Sequence, residues 1–301
     1  MASFGMKVIR GLFGAAEHVA PALAGRAAFN LFSLTPRLRS LGAGERRAIE
    51  RAGTFMQEAR HHRLRSGARC VVLHEFRPQR PATGTVLVIH GWRSRTEYMR
   101  SLIEGFRDAG FRVASLDLPG HGWSPGRRLN MVTAVEAVRA AGEWFGPFAA
   151  VVGHSFGGAV AVNAAVGSIP GIAPLAAERL VLIAAPNAMS DVFEGFGRSV
   201  NLGRRTYSSM AGQVRRISGR ALADFTGSRQ LASVPVPALV IHAPDDREVP
   251  AGDASMLASA GDHVRLHWVE GLGHRRILSD PAVVERSVGF VTDRHEPALV
   301  H

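Results

Sequence analysis

Short apolar runs recur along the chain after residue 62, and amphipathic segments separate them. The runs read CVVLHEF, TVLVIH, FRVASLD, AAVVG, RLVLIAA, PALVIHA and VRLHWVE. Segments such as EYMRSLIEGF and VTAVEAVRAAGEWF lie between them and carry apolar residues at helical spacing. Alternating strands and helices predict repeated βα units around a mostly parallel sheet, and runs that are apolar throughout predict strands covered on both faces. The pattern therefore predicts one doubly wound α/β domain.

Composition indicates a folded chain and limits the kinds of partner that we expect. The 301 residues are 46% hydrophobic, which suits a large core. The single cysteine, Cys70, excludes an intrachain disulfide and a zinc–thiolate cluster, and we interpret it as a small buried core residue. The formal charge of +11 comes almost wholly from arginines scattered between Arg10 and Arg294. Because they are not clustered with aromatic residues and no binding motif accompanies them, we expect no nucleic-acid partner.

The predicted strands divide the chain into segments. Residues 1–62 are predicted to be an N-terminal helical segment, and residues 63–301 are predicted to form the α/β domain. Within that domain, residues 187–236 are too long for a simple βα connection, and apolar residues spaced among arginines predict helices there. We expect these helices to form a lid over a pocket. An ordinary helix pair that covers the sheet is an equally good interpretation.

The N-terminal stretch MASFGMKVIRGLFGAAEHVAPALAG has an amphipathic pattern. Its apolar residues fall near one face at helical spacing, with Lys7 and Arg10 away from that face. Glu17 and His18 interrupt the apolar stretch, so we expect neither a cleaved signal peptide nor a membrane span, and we expect a cytoplasmic protein. A helix packed on its own domain or on a neighbouring subunit is favoured over weak peripheral contact with a membrane surface. Packing on a neighbouring subunit would make the protein an oligomer, so the sequence leaves the oligomeric state undecided.

Two pentapeptides match the pattern G-x-S-x-G, in which a serine occupies a sharp turn between a strand and a helix: GHSFG at 153–157 and GWSPG at 122–126. The first follows the strand-like AAVV and precedes the small-residue helix former GAVAVNAAV. The second is followed directly by Arg127 and Arg128 in a loop where no helix can begin at once. Ser155 is therefore the predicted nucleophile, and Ser124 is not.

A serine hydroxyl is a poor nucleophile at neutral pH and needs a base, which in turn needs an orienting group. Where a serine on such a strand–turn–helix is the nucleophile, the chain order is serine, then an acid, then histidine, each in a loop after a late strand. Asp245 and Asp246 follow PALVIHA, and His274 follows VRLHWVE within GLGH. Both groups arrive in the required order, and either aspartate meets the spacing.

These motifs together resemble α/β-hydrolase-fold serine hydrolases of the esterase and lipase type. The resemblance spans roughly residues 70–291 and rests on VIHGW, DLPGHGWS, GHSFGG, DDREVP and GLGH in the order the family shows. It implies the α/β-hydrolase fold, with Ser155 as nucleophile, Asp246 as the acid of the triad and His274 as the base. It also places Ser124 in a loop with a structural role.

The same resemblance implies an oxyanion hole made by the backbone N–H groups of Trp92 and Phe156. The sequence His90-Gly91-Trp92 replaces the His-Gly-Gly-Gly run of some esterases, which favours simple acyl esters over bulky or tertiary alcohol esters. We interpret His90 and His154, which flank these positions, as packing or hydrogen-bonding residues.

The expected activity is hydrolysis of carboxylic esters through an acyl-enzyme, with a small-molecule ester as the partner. Hydrolysis of thioesters, amides or carbon–carbon bonds and acyl transfer use the same triad, so they remain alternatives. A non-catalytic binding protein of the same fold is a weaker alternative, because every triad member is present in the sequence. No metal-ligand spacing such as H-E-x-x-H occurs, so we expect neither a metal nor a cofactor.

Overall fold

The computed structural model describes residues 4–35 and 42–292. They belong to two compact units, one formed by Met1–Leu34 with Ala188–Thr226, the other by Thr35–Asn187 with Gly227–His301. Each unit thus joins segments that are distant in sequence. The sequence prediction instead divides the chain into consecutive segments, with a boundary after residue 62 and a lid at 187–236. That boundary and that lid stay predictions.

The larger unit contains one eight-stranded sheet. Its strands are β1 (Arg60–Ser66), β2 (Arg69–Phe76), β3 (Thr85–Ile89), β4 (Arg112–Asp117), β5 (Ala150–His154), β6 (Leu180–Ile183), β7 (Ala238–His242) and β8 (Val264–Trp268). Their order across the sheet is β1-β2-β4-β3-β5-β6-β7-β8. The strand β2 pairs antiparallel with both of its neighbours, and every later pair is parallel. The predicted mostly parallel, doubly wound α/β architecture is confirmed.

The α-helices complete both units. In chain order they are α1 (Phe4–Val19), α2 (Pro21–Phe32), α3 (Ala43–Arg51), α4 (Gly53–Gln57), α5 (Arg100–Asp108), α6 (Met131–Phe145), α7 (Phe156–Ala165), α8 (Met189–Val200), α9 (Arg204–Ser218), α10 (Gly227–Ala232), α11 (Ala251–Ala258), α12 (Gly273–Arg276) and α13 (Pro281–Thr292). The helices α1, α2, α8 and α9 belong to the smaller unit.

The core of the larger unit lies against the central strands. All residues of β3, β5, β6 and β7 are buried, as their unbroken apolar runs predict. Successive side chains of a strand point to opposite faces, and Val86 and Val88 share one face. They pack in a cluster with Ile103 of α5 and Phe290 of α13. Full burial of one such side chain stabilises the fold by about 1.5–3 kcal/mol.

The sequence patterns did not predict the strand β1, and the interpretation of Cys70 is wrong. The strand β1 begins at Arg60, close to the predicted end of the helical segment at residue 62, and its sequence RHHRLRS contains no apolar run. It lies at the edge of the sheet, where charged residues discourage pairing with other chains, and Leu64 is its one buried apolar residue. Cys70, interpreted as a core residue, is exposed, because the buried part of β2 begins only at Val71.

The smaller unit pairs the N-terminal helices with the helices of the long insertion. The backbones of α2 and α9 approach so closely that a Cβ atom at Gly25 would overlap the side chain of Ser209. The rings of Phe32 and Phe193 lie 4.5 Å apart between centroids. Glu17, which interrupts the apolar pattern of α1, accepts hydrogen bonds at 2.8 and 2.9 Å from backbone N–H groups that begin α9. The unit therefore covers part of its own apolar surface.

Candidate active site

The sheet brings the predicted site residues to one edge. Ser155, Asp246 and His274 follow the strands β5, β7 and β8, respectively, and Trp92 follows β3. These four strands are parallel, and the carboxyl ends of parallel strands meet at the same edge. Residues that are far apart in sequence therefore become neighbours there.

Ser155 occupies a strained turn between β5 and α7. Its φ of 53° and ψ of −125° lie in a region that residues other than glycine rarely adopt. The conformation persists because the packing around it leaves no room to relax: Ser155 N–H donates to the Ile183 carbonyl at 2.9 Å, and a Cβ at Gly157 would overlap the carbonyl oxygen of Ile89. Gly157, two residues after the serine, is thus required because the helix crosses the sheet so closely.

Ser124 has a different environment. It is buried, its Oγ donates to the Asp117 carbonyl at 2.6 Å, and the same Oγ accepts from the Val72 N–H at 2.7 Å. A hydroxyl with both of these bonds ties the loop after β4 to the strand β2. This arrangement explains why the second G-x-S-x-G match occurs in the sequence without a strand–turn–helix context.

Asp246 and His274 contact each other directly. His274 Nδ1 lies 2.7 Å from Asp246 Oδ2, and the other oxygen of Asp246 accepts backbone N–H bonds from Glu248 and Val249 at 2.7 and 3.0 Å. Burial by itself would raise the pKa of Asp246, but the hydrogen bonds from His274, Val249 and Glu248 outweigh it and lower the pKa. An ionised Asp246 orients the imidazole with Nδ1–H toward itself, which leaves Nε2 as the basic nitrogen.

A second histidine connects this pair to the serine turn. His154, which precedes Ser155, donates from Nε2 to the His274 carbonyl at 2.9 Å, and the two rings lie 4.8 Å apart. Burial first, and then the His274 imidazole, lower the pKa of His154 to about 3, so this side chain is neutral. His154 thus fixes the loop that carries His274. The sequence indicated only a hydrogen-bonding role, without a partner.

The hydroxyl of Ser155 forms no hydrogen bond within residues 4–35 and 42–292, so it is not hydrogen-bonded to His274 in this structure. His274 Nε2 lies 4.0 Å from Glu248 Oε2, which is beyond hydrogen-bonding distance. Proton transfer between the two side chains needs a separation of about 2.6–3.2 Å in the complex with substrate.

The two residues expected to form the oxyanion hole lie together beside Ser155. The rings of Trp92 and Phe156 are 5.6 Å apart and nearly perpendicular. A Cβ at Gly91 would lie 2.9 Å from Ser155 Cβ, so the backbone before Trp92 passes directly along the serine. This approach is available only to glycine, which explains the Gly in the His-Gly-Trp sequence.

Two neutral histidines hold the loop that contains Trp92, and the sequence indicated a packing or hydrogen-bonding role for one of them, His90, without its partners. His90 donates from Nδ1 to the Gly91 carbonyl at 2.7 Å and accepts at Nε2 from the Leu118 N–H at 3.0 Å. His121 accepts at Nε2 from the Arg93 N–H at 3.1 Å. Burial lowers the pKa of both histidines, that of His121 to about 3, so each keeps an acceptor nitrogen. Their only sequence signal is the glycine beside each of them.

The buried Asp117 anchors the adjoining loop. It lies 3.0 Å from His74 Nε2 and accepts backbone N–H bonds from Thr96 at 2.9 Å and Trp123 at 2.7 Å. Burial alone would raise the pKa of Asp117, but the hydrogen bond with His74 outweighs it and holds the pKa far below its usual range.

In the part of the chain that the structure describes, no three His, Cys, Asp or Glu side chains are grouped as they are around a metal ion.

The sheet, the strained serine turn and the Asp246–His274 pair define an α/β hydrolase. A model of the alpha/beta hydrolase family matches residues 86–287, and the chain belongs to this family.

Several solved structures have the same fold. A putative lipase from Acinetobacter baumannii has a TM-score of 0.60 at 16% identity over 81% of this chain and 95% of its own. The carboxylesterase CesB from Bacillus subtilis has a TM-score of 0.61 at 16% identity over 83% and 98%. The esterase RhEst1 from a Rhodococcus species has a TM-score of 0.57 at 18% identity over 79% and 100%. At these identities the likeness shows the fold alone. No curated protein matches the chain in sequence.

Proposed function

We propose that this protein hydrolyses carboxylic esters through an acyl-enzyme on Ser155. The observation that carries the proposal is the 2.7 Å contact between His274 Nδ1 and the ionised Asp246. It leaves Nε2 of His274 as a base at the edge of the sheet where Ser155 is held on its turn. The lipase and esterases with the same fold support this chemistry without fixing the substrate.

In the proposed reaction, His274 Nε2 takes the proton of Ser155 Oγ as the oxygen attacks the ester carbonyl carbon. The carbonyl oxygen becomes an oxyanion, which the backbone N–H groups of Trp92 and Phe156 stabilise. The tetrahedral intermediate then expels the alcohol, which leaves with the proton from His274. A water molecule attacks the acyl-enzyme with the same base, and the acid and free Ser155 are released.

Labelling with a fluorophosphonate tests the proposal, because such a probe reacts with a serine only where a base and an oxyanion hole are assembled. We expect the adduct on the peptide VVGHSFGGAV and its loss in Ser155→Ala and His274→Ala. Hydrolysis of para-nitrophenyl butyrate should fall at least about 10⁴-fold in Ser155→Ala.

The matched control is Ser124→Ala. It should keep the label, although it should lose about 1–3 kcal/mol of stability, because two buried hydrogen bonds depend on that hydroxyl. An adduct on Ser124, or no adduct on folded protein, would contradict the proposal. Turnover of thioesters or amides without esters would favour those alternatives, and no turnover on a broad panel would favour a binding protein of this fold.

A further inference from the structure

A cavity of about 410 Å³ lies beside the loop that carries Trp92. The described lining contains three arginines and no aspartate or glutamate. The lining residues that matter here are Arg93, Arg95, Tyr98, His121 and Arg127.

Arg93 lines this cavity in an unfavourable backbone conformation. Its φ is 55°, a left-handed value that residues other than glycine rarely adopt. The Arg93 N–H donates to Nε2 of His121, a neutral side chain that itself lines the cavity. Strain of this kind persists where the surrounding structure imposes it, and it is concentrated at functional sites.

The arginines of the cavity differ in their partners. Arg95 is buried and forms two hydrogen bonds with Glu97, at 2.7 and 2.8 Å, so its charge is compensated. The guanidinium groups of Arg93 and Arg127 form no hydrogen bond or ion pair within the described part of the chain. Two uncompensated positive charges therefore line the cavity.

Tyr98 adds a neutral donor. Its hydroxyl is buried and has no hydrogen-bonding partner among the described residues. Burial and then the Glu45 carboxylate raise the pKa of Tyr98, so the hydroxyl keeps its proton. A buried hydroxyl without a partner is uncommon in folded proteins, and an acceptor from a ligand would satisfy it.

The cavity adjoins the proposed reaction centre. Arg93 directly follows Trp92 in the chain. The Trp92 ring lies 5.6 Å from the ring of Phe156 and 5.6 Å from that of His121. One aromatic side chain thus lies between the arginine-lined cavity and the residue after Ser155, and a substrate that reaches both would pass beside this side chain.

We propose that the cavity binds a carboxylate or phosphate group of the ester substrate, held by Arg93, Arg127 and the Tyr98 hydroxyl. The inference rests on the proposed esterase function and narrows it to anionic esters. Guanidinium groups suit this role, because their paired N–H donors match the oxygens of carboxylates and phosphates.

Two pairs of esters test the substrate preference. In one pair the acyl group carries the charge: para-nitrophenyl hemiglutarate is compared with para-nitrophenyl valerate. In the other the alcohol carries it: para-acetoxybenzoate is compared with its methyl ester. We expect the unmodified protein to prefer the anionic ester in at least one pair, measured as a ratio of kcat/KM, and to lose that preference at high salt.

The double variant Arg93→Gln with Arg127→Gln should lower this ratio about tenfold, the size of one lost charge-assisted hydrogen bond. Arg127→Gln alone should lower it in the same direction, and it leaves the strained Arg93 backbone untouched. Arg128→Gln is the matched control, because Arg128 is exposed, adjacent in sequence and outside the lining. Its ratio should stay unchanged. No anionic preference in either pair would overturn the inference.

A binding measurement separates this inference from the esterase proposal. Calorimetry of glutarate and of inorganic phosphate is done on Ser155→Ala, where no turnover is needed. We expect binding of at least one anion that is lost when Arg93→Gln and Arg127→Gln are added and kept when Arg128→Gln is added. Binding that is absent, or that persists in the double variant, would overturn the inference even if esters are hydrolysed.

Discussion

At the scale of single residues, Asp245 and Asp246 are adjacent in the chain and differ in their contacts. Asp246 is buried and lies 2.7 Å from His274 Nδ1. Asp245 is exposed, and its carboxylate accepts from the Gly273 N–H at 3.2 Å. Both carboxylates therefore contact the loop of His274, but only that of Asp246 contacts the imidazole.

Replacing each aspartate by asparagine should separate the two contacts. Asp246→Asn should lower kcat for para-nitrophenyl butyrate by about 10⁴-fold, because an amide cannot hold the imidazole in the required tautomer. Asp245→Asn should change kcat by less than about tenfold, since the amide oxygen can still accept from Gly273. Steady-state kinetics on variants with native circular dichroism measures both. A larger loss in Asp245→Asn would show that the acid of the triad is misassigned.

At the scale of elements, the crossing of α7 over β3 and β5 decides where the serine turn lies. A Cβ at Gly157 would overlap backbone carbonyl oxygens at the end of β3, and one at Gly153 would overlap the carbonyl oxygen of Gly157. These neighbours are buried backbone atoms of the sheet edge and of α7, which cannot move aside as a flexible side chain could. Helix and strand are therefore as close as two glycines permit.

Gly157→Ala should destabilise the protein by about 3 kcal/mol, the upper end of the cost of overpacking a core. The control is Gly289→Ala in α13, where an added Cβ would meet nothing within 4 Å. Alanine favours helix over glycine, so this variant should be up to about 1 kcal/mol more stable. Urea unfolding midpoints measure both changes. A Gly157→Ala protein as stable as the unmodified one would mean that α7 and β3 are farther apart than described.

At the scale of the whole molecule, the smaller unit leaves part of its N-terminal helices uncovered. Leu12 is 66% exposed and Val8 is 44% exposed on α1, and Leu23 on α2 is 64% exposed. Lys7 and Arg10 lie on α1 as well, so apolar and basic groups share one helix, as in helices that lie on anionic membranes. None of the helices formed by the described residues is long and apolar enough to span a bilayer.

If α1 contacts membranes at their periphery, Leu12→Glu should reduce co-sedimentation with vesicles that contain phosphatidylserine. Ile217→Glu is the control, because Ile217 is 41% exposed on α9 and the substitution changes the net charge equally. We expect a loss with Leu12→Glu only. Equal binding of the two variants and the unmodified protein would remove the membrane contact and leave packing as the role of this helix.

The sequence by itself determined the class of this protein. Apolar runs separated by amphipathic segments predicted the parallel sheet, and five short motifs in a fixed order predicted the hydrolase family. These features are local: strands and helices follow from the spacing of apolar residues within a few positions. The glycines of GHSFG indicated the serine turn for the same reason, since a sharp turn restricts which residues can occupy it.

Only the tertiary structure decided which distant residues meet. The strand β1 has no apolar run, because an edge strand can be charged and still pair through its backbone. The union of the N-terminal helices with 188–226, the contact of His154 with His274 and the position of Arg93 on a cavity all join separate parts of the chain. Such contacts depend on how the elements pack, and packing leaves no periodic pattern in a single sequence.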